Sequence, residues 1–286
     1  MHKKSTNRSF PLVIAYNLCF LGLCMSTYAC EQNEQMQKGA MSSAIDSTQS
    51  PEIYIDLEKE LKKHPKKSET VTVVYDAFFK TSKTFKGYAL TSFIDSIVVA
   101  NAFDTSSALV IFECKDGYKP VMDMSKVMAN KMGYIVYKDV SQKNAWADSI
   151  AATFTPYYVS WTNVKKEDHT YMWPYGLVGI RLKAAATEYK AIYPYDNANL
   201  AKGFMLFRNN CLRCHAINRV GGSMGPELNA PKNITEYWTE ENIIAFVKSP
   251  TSFRFNSHMP AVIGLTDAQL QEIVAYLKGM KEHKVL

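Results

Sequence analysis

The stretch Cys211-Leu212-Arg213-Cys214-His215 decides how the C-terminal third of the chain must fold. Two thiols with two residues between them and a histidine directly after is the spacing of covalent haem attachment. Thiols one helical turn apart can each add to a vinyl group of the ring, and the next residue brings an imidazole beneath the iron. Other uses of a cysteine pair fit less well. A thioredoxin-like redox pair wants a βαβ setting, and a structural zinc site needs two further ligands in register, whereas no second cysteine pair follows. One covalent haem c is therefore expected, held by Cys211 and Cys214 with His215 on the iron.

Outward from the motif the pattern is helical. Asp196 to Asn210 places Leu200, Phe204 and Phe207 on one face, with Asn197 or Asp196 as cap. Thr239 to Val247 reads as a second helix, stopped by Ser249-Pro250. Thr266-Asp267-Ala268-Gln269 is a capping box opening a third helix, which carries Leu270, Ile273, Val274 and Leu277 on one stripe. The spacing predicts a small all-α domain over residues 196–286.

Upstream, residues 53–193 read mainly as strands: Val71 to Phe79, Ala108 to Cys114, Gly133 to Tyr137, Tyr157 to Trp161 and Leu177 to Leu182. Helical stretches near Leu90 to Val98 and Ser125 to Met132 lie between them. An α+β domain with a mixed sheet is expected, so the chain is multidomain.

A haem held by His215 needs a second axial ligand, and Met224, Met259, His258 and His283 are the candidates. Met259 stands in Ser257-His258-Met259-Pro260, on an irregular segment that Pro260 stiffens by fixing φ. A methionine is more often a core residue, so spacing alone does not choose it.

From about Asp196 onward the sequence resembles class I cytochrome c. The resemblance rests on Gly203-Phe204, the motif at 211–215, Gly225-Pro226 with Leu228, Met259-Pro260, and Tyr276-Leu277 in the closing helix. It implies that His215 and Met259 ligate the iron and that the Pro226 carbonyl accepts the His215 Nδ1 proton, fixing the ring. It also implies Trp238 and Arg254 near the haem edge and propionates.

A second resemblance covers roughly residues 70–183. Phe85 to Leu90, Glu113 to Tyr118, Pro156 to Trp161, and Trp173-Pro174-Tyr175 through Leu182 look like the sulfite-oxidase-type molybdopterin fold. Active members of that family ligate molybdenum through a cysteine and hold the cofactor phosphate with arginine. Here Cys114 lies at a strand end without a preceding arginine, and no arginine occurs between Ile53 and Trp173. Cys114 is read as a buried strand cysteine; no molybdopterin and no catalytic residue are expected.

Lys3, Lys4 and Arg8 precede an apolar run from Phe10 to Met25, short for a membrane span and of the right size for an export signal. The run leads into Ser26-Thr27-Tyr28-Ala29-Cys30, similar to a bacterial lipoprotein cleavage site with Cys30 acylated; simple cleavage after Ala29 and an uncleaved anchor are the alternatives. Residues 1–29 are thus a signal peptide, and residues 30–52 a polar tether. Composition agrees with a globular exported protein: 47% hydrophobic, 21% charged, and a net charge of +6 spread without a dense basic stripe, which excludes a nucleic-acid surface.

These readings lead to an exported, periplasmic electron carrier, tethered to a membrane by a lipid on Cys30, whose first domain docks a redox partner such as a dehydrogenase or oxidase. The alternatives are a molybdenum-dependent oxidoreductase acting on a small sulfite-type anion with its own haem acceptor, and a haem-based sensor.

Overall fold

The strand β4 (Ala108–Cys114) organises the molecule because both of its faces are buried. In the computed structural model, which describes residues 52–63, 67–129 and 131–285, Ala108, Val110, Phe112 and Cys114 enter one core while Leu109 and Ile111 enter another. A strand covered on both faces reads as a continuous apolar run, which is why Ala-Leu-Val-Ile-Phe shows no alternation.

Around it stand β1 (Ile53–Asp56), β2 (Glu69–Val73), β3 (Lys83–Ala89), β5 (Val121–Asp123), β6 (Gly133–Asp139), β7 (Tyr157–Trp161) and β8 (Tyr175–Ala184). The sheet order is β2-β3-β6-β7-β8-β4-β5, with β1 also paired to β8. Every pairing in this sheet is antiparallel, which corrects the expected mixed sheet. The helices lying between strands do not act as crossovers to a parallel neighbour: β3 leads through α2 (Leu90–Ala100) to β4, which is not its neighbour, and β6 leads through α4 (Asp148–Phe154) to β7, which pairs with it antiparallel.

One face of the sheet packs on α1 (Leu57–Lys63), α2 and α3 (Met124–Ala129) through Leu57, Phe93, Ile94 and Val127. On the opposite side of β6 and β7, Val136 and Tyr158 meet Trp146 and Phe154. The expected strand from Val71 to Phe79 stops at Val73. The buried Asp76 carboxylate accepts the N–H groups of Phe78 and Phe79 at 2.9 and 3.1 Å, so the chain turns there instead of continuing the ladder.

After α5 (Ala185–Tyr189) the chain becomes helical, with α6 (Ala201–Asn210), α7 (Glu240–Lys248), the short α8 (Pro250–Phe253) and α9 (Asp267–Met280). Thr266 and Gln269 form the expected capping box of α9, and Thr239 accepts from Asn242 N–H at the start of α7, but Asn197, which accepts from Asn199 N–H, caps the 3-10 turn Ala198–Leu200 that leads into α6 and not α6 itself. Helices α6 and α9 cross at Gly203, where a Cβ would collide with the Glu272 carbonyl. The all-α expectation is met only in part, since β9 (Ala216–Ile217) and β10 (Val220–Gly221) form a small hairpin. Its turn residues Asn218 and Arg219 both have positive φ, 52° and 68°, as a two-residue hairpin of this hand requires.

Among the described residues the helical part and the sheet belong to one compact unit and share a core in which Leu109 and Ile111 of β4 join Phe204, Phe207, Leu212, Ile217, Leu270 and Tyr276. No described helix is long and apolar enough to cross a membrane. The signal peptide, Cys30 and nearly all of the tether fall outside the described residues.

Candidate haem site

Helix α6 ends at Asn210, and the attachment motif forms the turn that follows, with Cys211 N–H bonded to Phe207 O at 2.8 Å and His215 N–H to Cys211 O at 2.9 Å. Leu212 is 2% exposed and roots this turn in the core, leaving Cys211, Cys214 and His215 half-buried. Both cysteines are free thiols. Burial pushes the Cys211 thiol up to about 12 against the opposing pull of Arg213, and raises Cys214 for the same reason. They are thus held as neutral thiols.

The His215 Nδ1–H donates to the Pro226 carbonyl at 2.9 Å. That bond fixes the tautomer with the lone pair on Nε2, the form in which imidazole ligates a metal. Burial lowers the pKa of the ring, with the Pro226 contact working in the opposite direction, so the imidazole is kept neutral. Gly225 lies against it: a Cβ there would come within 2.5 Å of His215 Cε1. The Gly225-Pro226 pair therefore combines close approach by the first residue with a carbonyl from the second.

Glu227 completes the loop, a role that no pattern around the motif signals. Its carboxylate accepts from the N–H groups of Asn218, Arg219 and Asn229, each at 2.9 Å, and so steadies the positive-φ turn of the β9–β10 hairpin. Behind it lies a buried amide chain: Asn229 donates to Asn218 at 2.9 Å, and Asn233 donates to Asn229 at 2.7 Å and to the Leu277 carbonyl of α9 at 2.8 Å. An asparagine at the start of a tight hairpin, here in Ile217-Asn218-Arg219-Val220, is the one local clue to this chain.

Trp238 and Arg254, distant in sequence, come together, with the guanidinium 5.9 Å from the indole ring. Phe246 and Phe253 complete the cluster at 5.2 and 6.2 Å from Trp238. Met259 is half-buried on the segment between α8 and α9, where its N–H donates to Ser257 Oγ at 3.3 Å. Two other apolar residues of that segment, Phe255 and Ile263, are 93% and 92% exposed. Exposed apolar side chains on the segment that carries Met259 are surface that an apolar ring would cover.

These features fit a covalently bound haem c: paired neutral thiols, an imidazole aimed by its outer hydrogen bond, a glycine cradle, and apolar surface around a methionine. No group of three or more His, Cys, Asp or Glu side chains poised to hold a metal ion occurs among the described residues. Cys114 is 6% exposed at the end of β4, with its thiol pKa raised by burial.

Comparison with known proteins agrees with this geometry. Residues 198–277 match the family described as cytochrome c oxidase, cbb3-type, subunit III. Cytochrome c oxidase subunit 2 of Alkalihalophilus pseudofirmus is 27% identical over 78 residues, covering 26% of this chain and 23% of that protein. The chain thus spans about a quarter of that relative's length. No solved structure matches. A cytochrome c-type domain accordingly occupies residues 198–277, and haem c is the cofactor it implies.

Proposed function

We propose that this chain is an exported electron carrier with a single covalent haem c, moving one electron at a time between redox proteins. The bond from His215 to the Pro226 carbonyl, set directly behind the Cys211/Cys214 pair, carries this reading. When bound, the haem supplies a one-electron iron couple. The residues of the chain would do the rest: Cys211 and Cys214 would hold the haem covalently, and His215, oriented by its bond to Pro226, would ligate the iron together with Met259, while Trp238 and Arg254 would border the group. A thioether opposite an imidazole raises the potential.

The sheet domain holds the cytochrome part through β4 and serves as the recognition body toward a partner. Both matches name oxidase subunits, which supports an oxidase or its electron donor as that partner. A lipid on Cys30 would keep the protein at a periplasmic membrane surface. The molybdenum reading gains no support from the buried Cys114 or from a domain without arginine between Ile53 and Trp173.

The deciding experiment is metal and haem analysis of the purified exported protein. One iron per chain and haem peroxidase activity that survives a denaturing gel are expected, both lost in Cys211→Ala/Cys214→Ala. Haem that extracts into acid acetone from the wild type would refute covalent attachment, and stoichiometric molybdenum would favour the enzyme.

A further inference from the structure

Beside the haem motif, on the side of the sheet domain, lies a pocket of about 270 Å³. Three separate segments build it: Tyr75 from the turn after β2, Tyr118 from the β4–β5 turn, and Lys165 to Trp173 from the long connection between β7 and β8. The fourth contribution is Arg213, from between the two haem-binding cysteines.

Its wall carries an excess of positive charge. Among the described residues, Lys165, Lys166 and Arg213 have no carboxylate within ion-pairing distance. Neutral groups hold two of them instead: the Lys166 ammonium lies 5.7 Å from the centre of the Tyr75 ring, and Arg213 reaches the Met172 sulfur at 3.7 Å, the Asn209 carbonyl and the Tyr118 hydroxyl. The one carboxylate in the wall, Asp168, accepts the Thr170 N–H at 3.0 Å and pairs with Lys126 at 4.0 Å, so it does not neutralise them. Lysine and arginine offer only donors, and a tyrosine hydroxyl can donate as well, so donors outnumber the acceptors of Asp168 and His169 in the wall and favour a ligand that brings acceptors. Its volume lies at the small end of ligand pockets.

We infer that this pocket binds a small anion with charged oxygen atoms, an oxyanion or a carboxylate, and that Arg213 couples its occupancy to the haem. Arg213 directly precedes Cys214 and stands two residues after Cys211. A negative charge placed against it stabilises the oxidised, more positive iron, so filling the pocket lowers the reduction potential. By linkage, the oxidised protein binds the anion more tightly than the reduced protein by the same factor. The binding site stands independently of the electron-carrier proposal; only the effect on the potential rests on it.

The test titrates the purified holoprotein with sodium sulfate and, separately, sodium acetate at ionic strength held constant with sodium chloride. Calorimetry reads binding and redox potentiometry reads the coupling. Expected are saturable binding of at least one probe, tighter to the oxidised form, and a potential that falls as that probe is added. Lys165→Gln/Lys166→Gln should weaken binding about tenfold or more while haem content and circular dichroism stay those of the wild type. If neither probe binds, if the double variant binds as tightly as the wild type, or if the response follows ionic strength alone, the site is refuted. Binding without a shift in potential would refute the coupling through Arg213. Loss of covalent haem from the wild type would instead refute the electron-carrier proposal, while calorimetry would still report on the pocket.

Discussion

The Ser223 N–H donates to the Gly117 carbonyl across 2.9 Å, joining the tip of the β4–β5 hairpin to the loop behind the haem motif. Nearby, Lys119 N–H donates to the Arg213 carbonyl at 2.8 Å. Together with Leu109 and Ile111 in the core of the cytochrome part, these bonds make the sheet domain a support that the haem-attachment turn leans on. A change at the hairpin tip is therefore transmitted to the motif.

Gly117 is the residue through which to measure this support. Its φ is +86°, and a Cβ there would meet Ser223 Oγ, so Gly117→Ala strains the backbone and opens the contact at once. A loss of about 1–3 kcal/mol is expected. Thermal unfolding followed by haem absorbance and by far-UV circular dichroism should give coincident transitions, both at lower temperature than in the wild type. Two separated transitions in the wild type would mean that the parts unfold independently.

Met259 as the second axial ligand predicts that Met259→His lowers the reduction potential, because imidazole replaces the thioether. Potentiometry of the holoprotein checks it. A potential unchanged in Met259→His but altered in His258→Ala would assign the position to the neighbouring histidine.

What could be read from the sequence was local. The attachment motif and the capping box at Thr266 each lie within five residues, and β4 declares itself by a run that only two buried faces explain. The partner for that second face could not be read, because Leu109 and Phe207 meet only through the tertiary fold. Strand β3 escaped for a different reason: Lys83-Thr84-Phe85-Lys86-Gly87-Tyr88 places one fully buried large side chain, Phe85, among polar neighbours. The site divides in the same way. Cys211, Cys214 and His215 announce their chemistry by spacing, whereas Glu227 and the Asn218, Asn229 and Asn233 chain work through contacts that no periodicity encodes.

Asp76 supplies a pH-dependent prediction. It is fully buried, and desolvation raises its pKa despite bonds from Phe79, Phe78, Tyr158 and Ser160. A carboxyl whose folded pKa exceeds its unfolded value contributes stability that is complete below the unfolded value, about 3.9, and is lost as pH rises through the folded one. Asp76→Asn keeps an acceptor for Phe78 and Phe79 without the titration. Melting temperatures measured upward from about pH 4 should show the gap between wild type and variant moving in favour of the variant as pH rises. A gap independent of pH would contradict the raised pKa.

The amide chain behind the haem loop gives the last prediction. Asn229 is fully buried, donating to Asn218 Oδ1 and accepting from Asn233 Nδ2, while Asn218 in turn reaches the Ala191 and His283 carbonyls at 2.9 and 2.7 Å. Asn229→Leu removes the middle link: an Asn233 N–H loses its acceptor inside the protein, while the Asn218 oxygen keeps only the Val285 N–H at 3.1 Å. The orphaned N–H costs about 1–3 kcal/mol, more than the value of one intact bond. The variant should therefore be destabilised by several-fold the effect of a surface change such as Lys202→Ala, whose ion pair with Glu272 is exposed and worth about 1 kcal/mol at most. Because the chain anchors the loop carrying Pro226, Asn229→Leu should also speed exchange of the His215 Nδ1 proton, measured by NMR of the reduced protein. Destabilisation without faster exchange would separate the stability of the loop from its hold on the imidazole.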